Sequence, residues 1–300
     1  MNKSIILAGG SGSRLWPITK GTSKQLLPVY DKSLIYFPVS VLMQAGIRDI
    51  LIITTPEDQD GFIKLLGNGG DYGINIHYAV QPSPDGLAQA FIIANECGFL
   101  GKDEPCAMVL GDNIFHGTGF AKKLQKAIKF TDTGNACVFG TTVDDPYRYG
   151  IAEVDELGNV LSIEEKPKEP KSNICVTGLY FYPAGVVEMA RKVTPSARGE
   201  LEITTLNQMY LEEGRLSLIN LNDFMWADCG TFDSLSEAAA YVEAVEKRTG
   251  RQIACLEEIA YNNKWIDSIQ LMKSADKMIK NSYGKYLAKL ALKKPRKPVN

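Results

Sequence analysis

The sequence predicts an α/β protein: a doubly wound, mostly parallel sheet carrying a β-rich insertion and a C-terminal helical extension. Three observations lead there. Strand-like and helical patterns alternate through the first half of the chain, the mark of a layered α/β sheet. The strand candidates are short, apolar on both faces and rich in Ile and Val, as strands covered on both sides must be. Glycines follow the first of them at positions 9, 10 and 12, and in such sheets ligands bind beyond the carboxyl ends of the strands.

Taken in order, strands are expected over residues 5–7, 50–54, 74–79, 107–110 and 136–142. Helices are expected near 37–45, 59–66, 86–97 and 119–130. From about Tyr149 the texture changes. Residues 151–154 and 160–163 flank Leu157-Gly158-Asn159 and predict a β-hairpin. Residues 175–181 form a further strand candidate, and residues 186–192, 201–213 and 232–248 read as helices. Thr231 is placed to N-cap the last of these. The tail from about 257 to 292 is helical and amphipathic in pieces. No repeat, low-complexity tract or linker interrupts the chain. The expected organisation is a core over 1–248 that includes an insertion at about 149–225, with 249–300 as an extension that is not an independent domain.

The chain has 300 residues, 45% hydrophobic and 23% charged, enough to bury a core without disulfides or a structural metal. Thirty-three Lys and Arg stand against 35 Asp and Glu, a net charge of −2. A dedicated nucleic-acid binder would carry a basic excess. The two histidines, His77 and His116, are too few and scattered for a His-rich metal site. None of the six cysteines forms a C-x-x-C pair, which argues against zinc ribbons and dithiol redox chemistry. The N-terminus has only a four-residue apolar run before its glycines, too short for a signal h-region. No run approaches the ~20 apolar residues of a membrane helix. A cytoplasmic protein with reduced thiols is expected, with no membrane or nucleic-acid partner. The basic tail, Lys293-Lys294-Pro295-Arg296-Lys297, could touch an acidic partner but reads first as a solvated terminus.

Chemistry concentrates in a few segments. In Leu7-Ala8-Gly9-Gly10-Ser11-Gly12-Ser13-Arg14, glycines let backbone N–H groups converge on an anion, and Arg14 adds a planar cation suited to phosphate. The spacing matches neither a Walker A loop nor G-x-G-x-x-G. A glycine turn that binds nothing is the competing reading. Lys24 precedes an apolar Leu26-Leu27-Pro28-Val29 segment and can project back toward the glycines, although taken alone it reads as an ordinary surface lysine. Two cations on one site suit a triphosphate whose charge must be neutralised. Asp112, in Leu110-Gly111-Asp112-Asn113, stands just past a buried strand, and Asp228 ends a second short apolar segment. Mg²⁺ takes one or two protein carboxylates and fills its shell with phosphates and water; either Asp alone could instead cap a helix. Asp145 reads as a turn residue. Glu165-Lys166-Pro167 and Arg198-Gly199-Glu200 mix acids with cations, a pattern that suits a sugar phosphate and equally describes surface ion pairs.

These segments, with 81–90, 176–182 and 226–231, occur in one order that closely resembles the glucose-1-phosphate thymidylyltransferase family of sugar nucleotidyltransferases. The resemblance runs from Ser4 to about Leu292. It implies a Rossmann-like sheet of the nucleotide-diphospho-sugar transferase type. It also implies a reaction: dTTP and α-D-glucose 1-phosphate give dTDP-glucose and pyrophosphate, opening dTDP-L-rhamnose synthesis, by in-line attack at the α-phosphorus with Mg²⁺. By motif, Arg14, Lys24, Asp112, Lys166 and Asp228 would carry catalysis. Leu7, Gly9, Gly10, Gly12, Ser13, Gln81, Pro84 and Gly86 would bind the nucleotide with Arg14, Lys24 and Asp112. Gly150, Glu165, Lys166, Val176, Tyr180 and Arg198 would bind the sugar phosphate, and Asp112 and Asp228 the metal. The resemblance further implies a homotetramer and a second, regulatory nucleotide-sugar site involving His116, Cys255, Glu258 and Asn262.

The sequence departs from the family at Ser13 for Thr, Trp16 for His or Tyr, Cys229 for Thr beside Asp228, and Asn262 for Arg. Loss of a bidentate phosphate donor at 262 leads us to expect weakened feedback inhibition by dTDP-rhamnose. Two other readings stay open at the level of sequence: a UTP-using uridylyltransferase, and a non-catalytic nucleotide-sugar sensor on the same fold. A dinucleotide-dependent dehydrogenase fails on loop spacing and on the lack of a ribose-binding acid about 20 residues after the loop.

Overall fold

The computed structural model describes residues 1–10 and 12–295. Ser11, and Arg296 and Lys297 of the basic tail, therefore lie outside the described residues. The strands are β1 (Lys3–Ala8), β2 (Pro28–Val29), β3 (Lys32–Ser33), β4 (Asp49–Thr54), β5 (Asn75–Val80), β6 (Cys106–Leu110), β7 (Asn113–His116), β8 (Ala136–Thr142), β9 (Gly150–Val154), β10 (Val160–Glu165), β11 (Ile174–Tyr182), β12 (Leu216–Asn220) and β13 (Met225–Asp228). The α-helices are α1 (Tyr36–Gln44), α2 (Gln59–Leu66), α3 (Gln89–Glu96), α4 (Phe120–Asp132), α5 (Val186–Lys192), α6 (Ile203–Glu212), α7 (Phe232–Thr249), α8 (Leu256–Asn262), α9 (Ser268–Lys277) and α10 (Ser282–Ala291).

Nine strands form one mixed sheet, with β10-β9-β11-β6-β1-β4-β5 as its main path and β8 and β12 joined through β11. Strands β6, β1, β4 and β5 run parallel. The even burial of the strand candidates has a direct cause in β1. Ile5 and Leu7 face one apolar layer with α3, α5 and α6, while Ile6 and Ala8 face the other with α1, α4 and the C-terminal helices. The hairpin expected around Gly158 is present as the antiparallel pair β9–β10. The helix expected from 86 starts only at Gln89, because Asp85 O and Ala88 N are tied to the backbone of Leu201. The N-cap at Thr231 is real: its hydroxyl and Ser234 form a reciprocal capping box.

Strand β11 places the site. Its second half pairs with β6 and its first half touches β9, while β8 lines its other edge with a register break between Val176 and Tyr180. Strands β9, β10 and β11 are thus woven into the one sheet, and the break opens beside the carboxyl end of β6. The C-terminal helices join the same apolar layer as α1, through Leu256, Tyr261, Leu271 and Leu287. Among the described residues, no helix is long and apolar enough to cross a membrane.

Candidate active site

Two clefts meet at Asp112. The smaller, ≈ 200 Å³, is bordered by Leu7, Gly9, Gly10, Lys24, Gln25, Gln81, Pro84, Gly86, Leu87, Leu110, Asp112 and Glu200. It lies past the carboxyl ends of β1, β5 and β6, where an α/β sheet of this kind presents backbone to a ligand. The larger, ≈ 530 Å³, is bordered by Arg14, Arg148, Tyr149, Gly150, Glu165, Lys166, Val176, Gly178, Tyr180, Arg198, Thr204, Trp226 and Asp228, and it shares Leu87, Leu110, Asp112 and Glu200 with the first.

Every residue assigned to the sugar phosphate by sequence therefore stands in one cleft. Most of those assigned to the nucleotide stand in the other. Arg14 borders the larger cleft instead, and Gly12 and Ser13 border neither. Gly12 takes φ 62° and opens the short turn Ser13–Leu15, which carries Arg14 toward Asp228.

Two glycines are required by close approach. A Cβ on Gly9 would lie 2.5 Å from Gln81 Oε1, so glycine lets Gln81 reach under the loop. Gln81 is buried, and its amide donates to Gln89 Oε1 at 2.7 Å and Gly86 O at 3.3 Å. Gly86 holds φ +110°, and a Cβ there would sit 2.4 Å from the backbone of Leu201.

At the junction, Lys24 and Asp112 form an ion pair that is nearly out of solvent. Burial alone would raise the Asp112 carboxyl, but the charge and hydrogen bond of Lys24, with the Asn113 amide, hold it below the usual carboxylate range. Asp228 ends β13, which is paired with β7 so that Asp228 faces Asn113. Burial and the charge of Asp112 push the Asp228 carboxyl up, against the opposing pull of Lys24, Arg14 and Arg148. Two carboxylates close enough to repel fit a hard divalent cation. No group of three or more candidate ligand residues occurs among the described residues, so such an ion would draw the rest of its shell from substrate and water.

Cys229 is fully buried in an apolar cluster with Val29, Leu34, Phe37 and Ile114. Burial pushes its thiol up to about 12. Its backbone N–H donates to the main-chain carbonyl of Asp112 at 3.0 Å.

In the larger cleft, Glu165 accepts from Thr204 Oγ1 at 2.6 Å and lies 3.5 Å from both Lys166 Nζ and Arg198 Nη2. Arg198 also donates to Glu202 at 2.7 Å. Lys166 adopts φ +44°, rare for a residue with a side chain. Tyr180 and Val176 are buried and form the floor with Gly178.

The sequence reading missed several bordering residues: Gln25, Arg148, Tyr149, Gly178, Thr204 and Trp226. Asn113 borders the larger cleft too, and it and Gln25 alone carried a readable signal, as sequence neighbours of Asp112 and Lys24. Asn113 is buried; its Oδ1 accepts from Trp226 Nε1 at 2.7 Å and from Gly178 N at 3.3 Å.

His116, Cys255, Glu258 and Asn262 are also brought together. They border a separate cavity of ≈ 250 Å³ with Ser40, Gln44, Phe115, Phe120 and Gln252. His116 Nδ1 lies 2.8 Å from Tyr241 Oη, and burial lowers the imidazole's pKa.

Residues 3–245 match the nucleotidyl transferase family. A glucose-1-phosphate thymidylyltransferase of Neisseria meningitidis serogroup A is 57% identical over 292 residues, covering 97% of this chain and 100% of its own. The enzyme of the same name from Mycobacterium tuberculosis is 50% identical over 289 residues, 96% of this chain and 98% of its own. Among solved structures, a Bacillus anthracis protein assigned as a glucose-1-phosphate thymidylyltransferase, in complex with a sucrose, superposes with a TM-score of 0.73 at 42% identity, over 80% of this chain and 95% of that one.

Proposed function

The chain belongs to the nucleotidyl transferase family, and on that footing we propose that its two clefts take dTTP and α-D-glucose 1-phosphate and bring them together at the Lys24–Asp112 pair. The chain is an enzyme, a glucose-1-phosphate thymidylyltransferase, and its products are dTDP-glucose and pyrophosphate. The observation that carries the assignment of the site is the shared wall. Leu87, Leu110, Asp112 and Glu200 border both clefts, so ligands in the two would meet without a covalent enzyme intermediate.

In this reading a sugar-phosphate oxygen attacks the α-phosphorus of dTTP. A new P–O bond forms there as the bond to the β-phosphate oxygen breaks, and the electron pair leaves with pyrophosphate. Gln81, Pro84 and Gly86 hold the base, and Leu7, Gly9 and Gly10 admit the nucleotide backbone-close. Gly12 and Ser13 shape the turn that presents Arg14. Arg14 and Lys24 neutralise the phosphates and the leaving group, a charge stabilisation already in place before reaction. Lys166 and Arg198 hold the sugar phosphate, while Gly150, Glu165, Val176 and Tyr180 fix the ring. Catalysis is then positioning. Asp112 and Asp228 would hold Mg²⁺, which when bound supplies positive charge to the reacting phosphates.

The reading extends to the first step of dTDP-L-rhamnose formation in the cytoplasm, by a homotetramer. It takes residues 249–300 as a regulatory and assembly extension, and the cavity at His116, Cys255, Glu258 and Asn262 as a second nucleotide-sugar site with weakened inhibition. A full-strength dTDP-rhamnose inhibition curve, unmoved by Asn262→Ala, would overturn that last point. The central test is a nucleotide panel. Pyrophosphate release with glucose 1-phosphate is measured for dTTP, UTP, GTP and CTP, and the fastest kcat/KM is expected for dTTP. A preference for UTP would make the enzyme a uridylyltransferase, and no release with any would leave a sensor.

A further inference from the structure

We infer that Lys32 is a positioning residue for the nucleotide-phosphate cation Lys24, anchoring the active-site loop from behind through a buried polar cluster that α7 and the C-terminal extension complete. The inference rests on the reading of Lys24 given above.

Lys32 has the look of a surface lysine in the sequence, yet its side chain is 3% exposed and that of its partner Glu246 4%. Burying an ammonium costs several kcal/mol unless it is well paired. Here Nζ pairs with Asp31, lies 3.0 Å from Glu246 Oε1 and 3.4 Å from Gln252 Oε1, and sits 5.8 Å from the ring centres of both Phe37 and Tyr283. The same Glu246 Oε1 accepts the Ile253 N–H at 2.8 Å. One ammonium thus joins the β2–β3 hairpin, the C-terminal turn of α7, the segment after it, and α10.

The link to the active site is short and made of backbone. Val29 pairs with Lys32 across the hairpin. Leu34 N donates to Leu27 O and Ile35 N to Gln25 O, both at 2.9 Å, and Leu27 N donates to Lys24 O at 3.1 Å. Lys24 itself opens only a three-residue turn with no side-chain cap, so its direction toward Asp112 is set by where this hairpin is held. Lys32 borders neither substrate cleft. The hydrogen-bonded route from it to the reaction runs through Lys24 and Gln25, both of which border the nucleotide cleft. Loosening the anchor should therefore be felt by dTTP and not by the sugar phosphate.

The test compares Lys32→Met, Lys32→Arg, Glu246→Gln and Lys24→Met in the full chain, measuring kcat, both KM values and the melting temperature. Lys32→Met is expected to lower kcat/KM for dTTP by roughly tenfold or more, as small misplacements of catalytic groups do, while the KM for glucose 1-phosphate stays within about twofold. Lys32→Arg, which keeps the charge and can still meet Glu246, should recover most of the loss. If Lys32→Met does not fold, Glu246→Gln decides, with the same split expected. Wild-type dTTP kinetics in a folded variant, equal losses for both substrates, or loss of the fold in all three cluster variants would overturn the inference, because the cluster would then serve folding alone. An unchanged dTTP KM and kcat in Lys24→Met would instead overturn the underlying role of Lys24.

Discussion

The side-chain amide of Asn113 donates to Asp112 Oδ1 at 2.9 Å. Its own oxygen is occupied by the Trp226 indole at 2.7 Å and the Gly178 N–H at 3.3 Å. One buried amide therefore ties the acid at the end of β6 to β13 and to the break in β11. Asn113→Ala would strand two donors and free Asp112. An unsatisfied buried donor costs about 1–3 kcal/mol, so urea unfolding should show a loss of at least that size. Turnover should fall by more than substrate affinity does. A variant with full kcat and lowered stability alone would show that Asn113 holds the fold and not the carboxylate.

Asp112→Asn removes charge and almost no volume. Two effects oppose each other in stability. Lys24 loses its buried partner, and breaking such pairs costs about 3–5 kcal/mol; but Asp228 is relieved of the charge that pushes its carboxyl up. The net loss should fall below that range, and the variant should fold. Its pyrophosphate release should be nearly abolished, most severely at limiting Mg²⁺. Normal turnover there would refute the metal assignment.

How much of this was legible depended on whether the signal was local. Strand β1 and its glycine loop, the N-cap at Thr231 and the acid after β6 each rest on neighbours in sequence, and each is where the pattern put it. The clefts hold residues whose role comes from distant partners. Gly178 matters because a Cβ there would lie 2.8 Å from Asn113 Oδ1 and Leu110 Cδ1, and Trp226 because its indole finds Asn113 across the β13–β7 pair. Nothing in a Val-Thr-Gly-Leu or Met-Trp-Ala run carries that. Strand β12 escaped for a related reason. Its residues alternate weakly, and only pairing with β8 makes them a strand.

Arg198 is half-exposed and holds Glu202 at 2.7 Å while standing 3.5 Å from Glu165. In Arg198→Ala the phosphate loses a cation, and three acids, Glu165, Glu200 and Glu202, lose a neutralising neighbour beside it. The KM for glucose 1-phosphate should rise by at least tenfold, about 1.4 kcal/mol, with the dTTP KM little changed. Arg198→Lys should restore only part of this, because a point charge cannot reproduce a planar fork. A raised dTTP KM with an unmoved sugar KM would contradict the role.

Two glycines separate folding from chemistry. A Cβ on Gly86 would meet the Leu201 backbone at 2.4 Å, with φ already at +110°, so Gly86→Ala has nowhere to relax and should lower the melting temperature markedly. Gly230 is different. Its Cβ would lie 2.9 Å from Arg14 Nη2 and 3.1 Å from Asp228 Oδ1, the far ends of two side chains that can swing aside, and it is not among the glycines with positive φ. Gly230→Ala should therefore melt close to the wild type. The groups that must swing are the leaving-group cation and the second acid, so kcat and the dTTP KM should both worsen, by roughly the 10²-fold that a 1 Å misplacement can cost. Thermal melts and initial rates on the two variants distinguish the cases. A stable Gly230→Ala with wild-type dTTP kinetics would show that Arg14 and Asp228 need not share that corner for thymidylyl transfer.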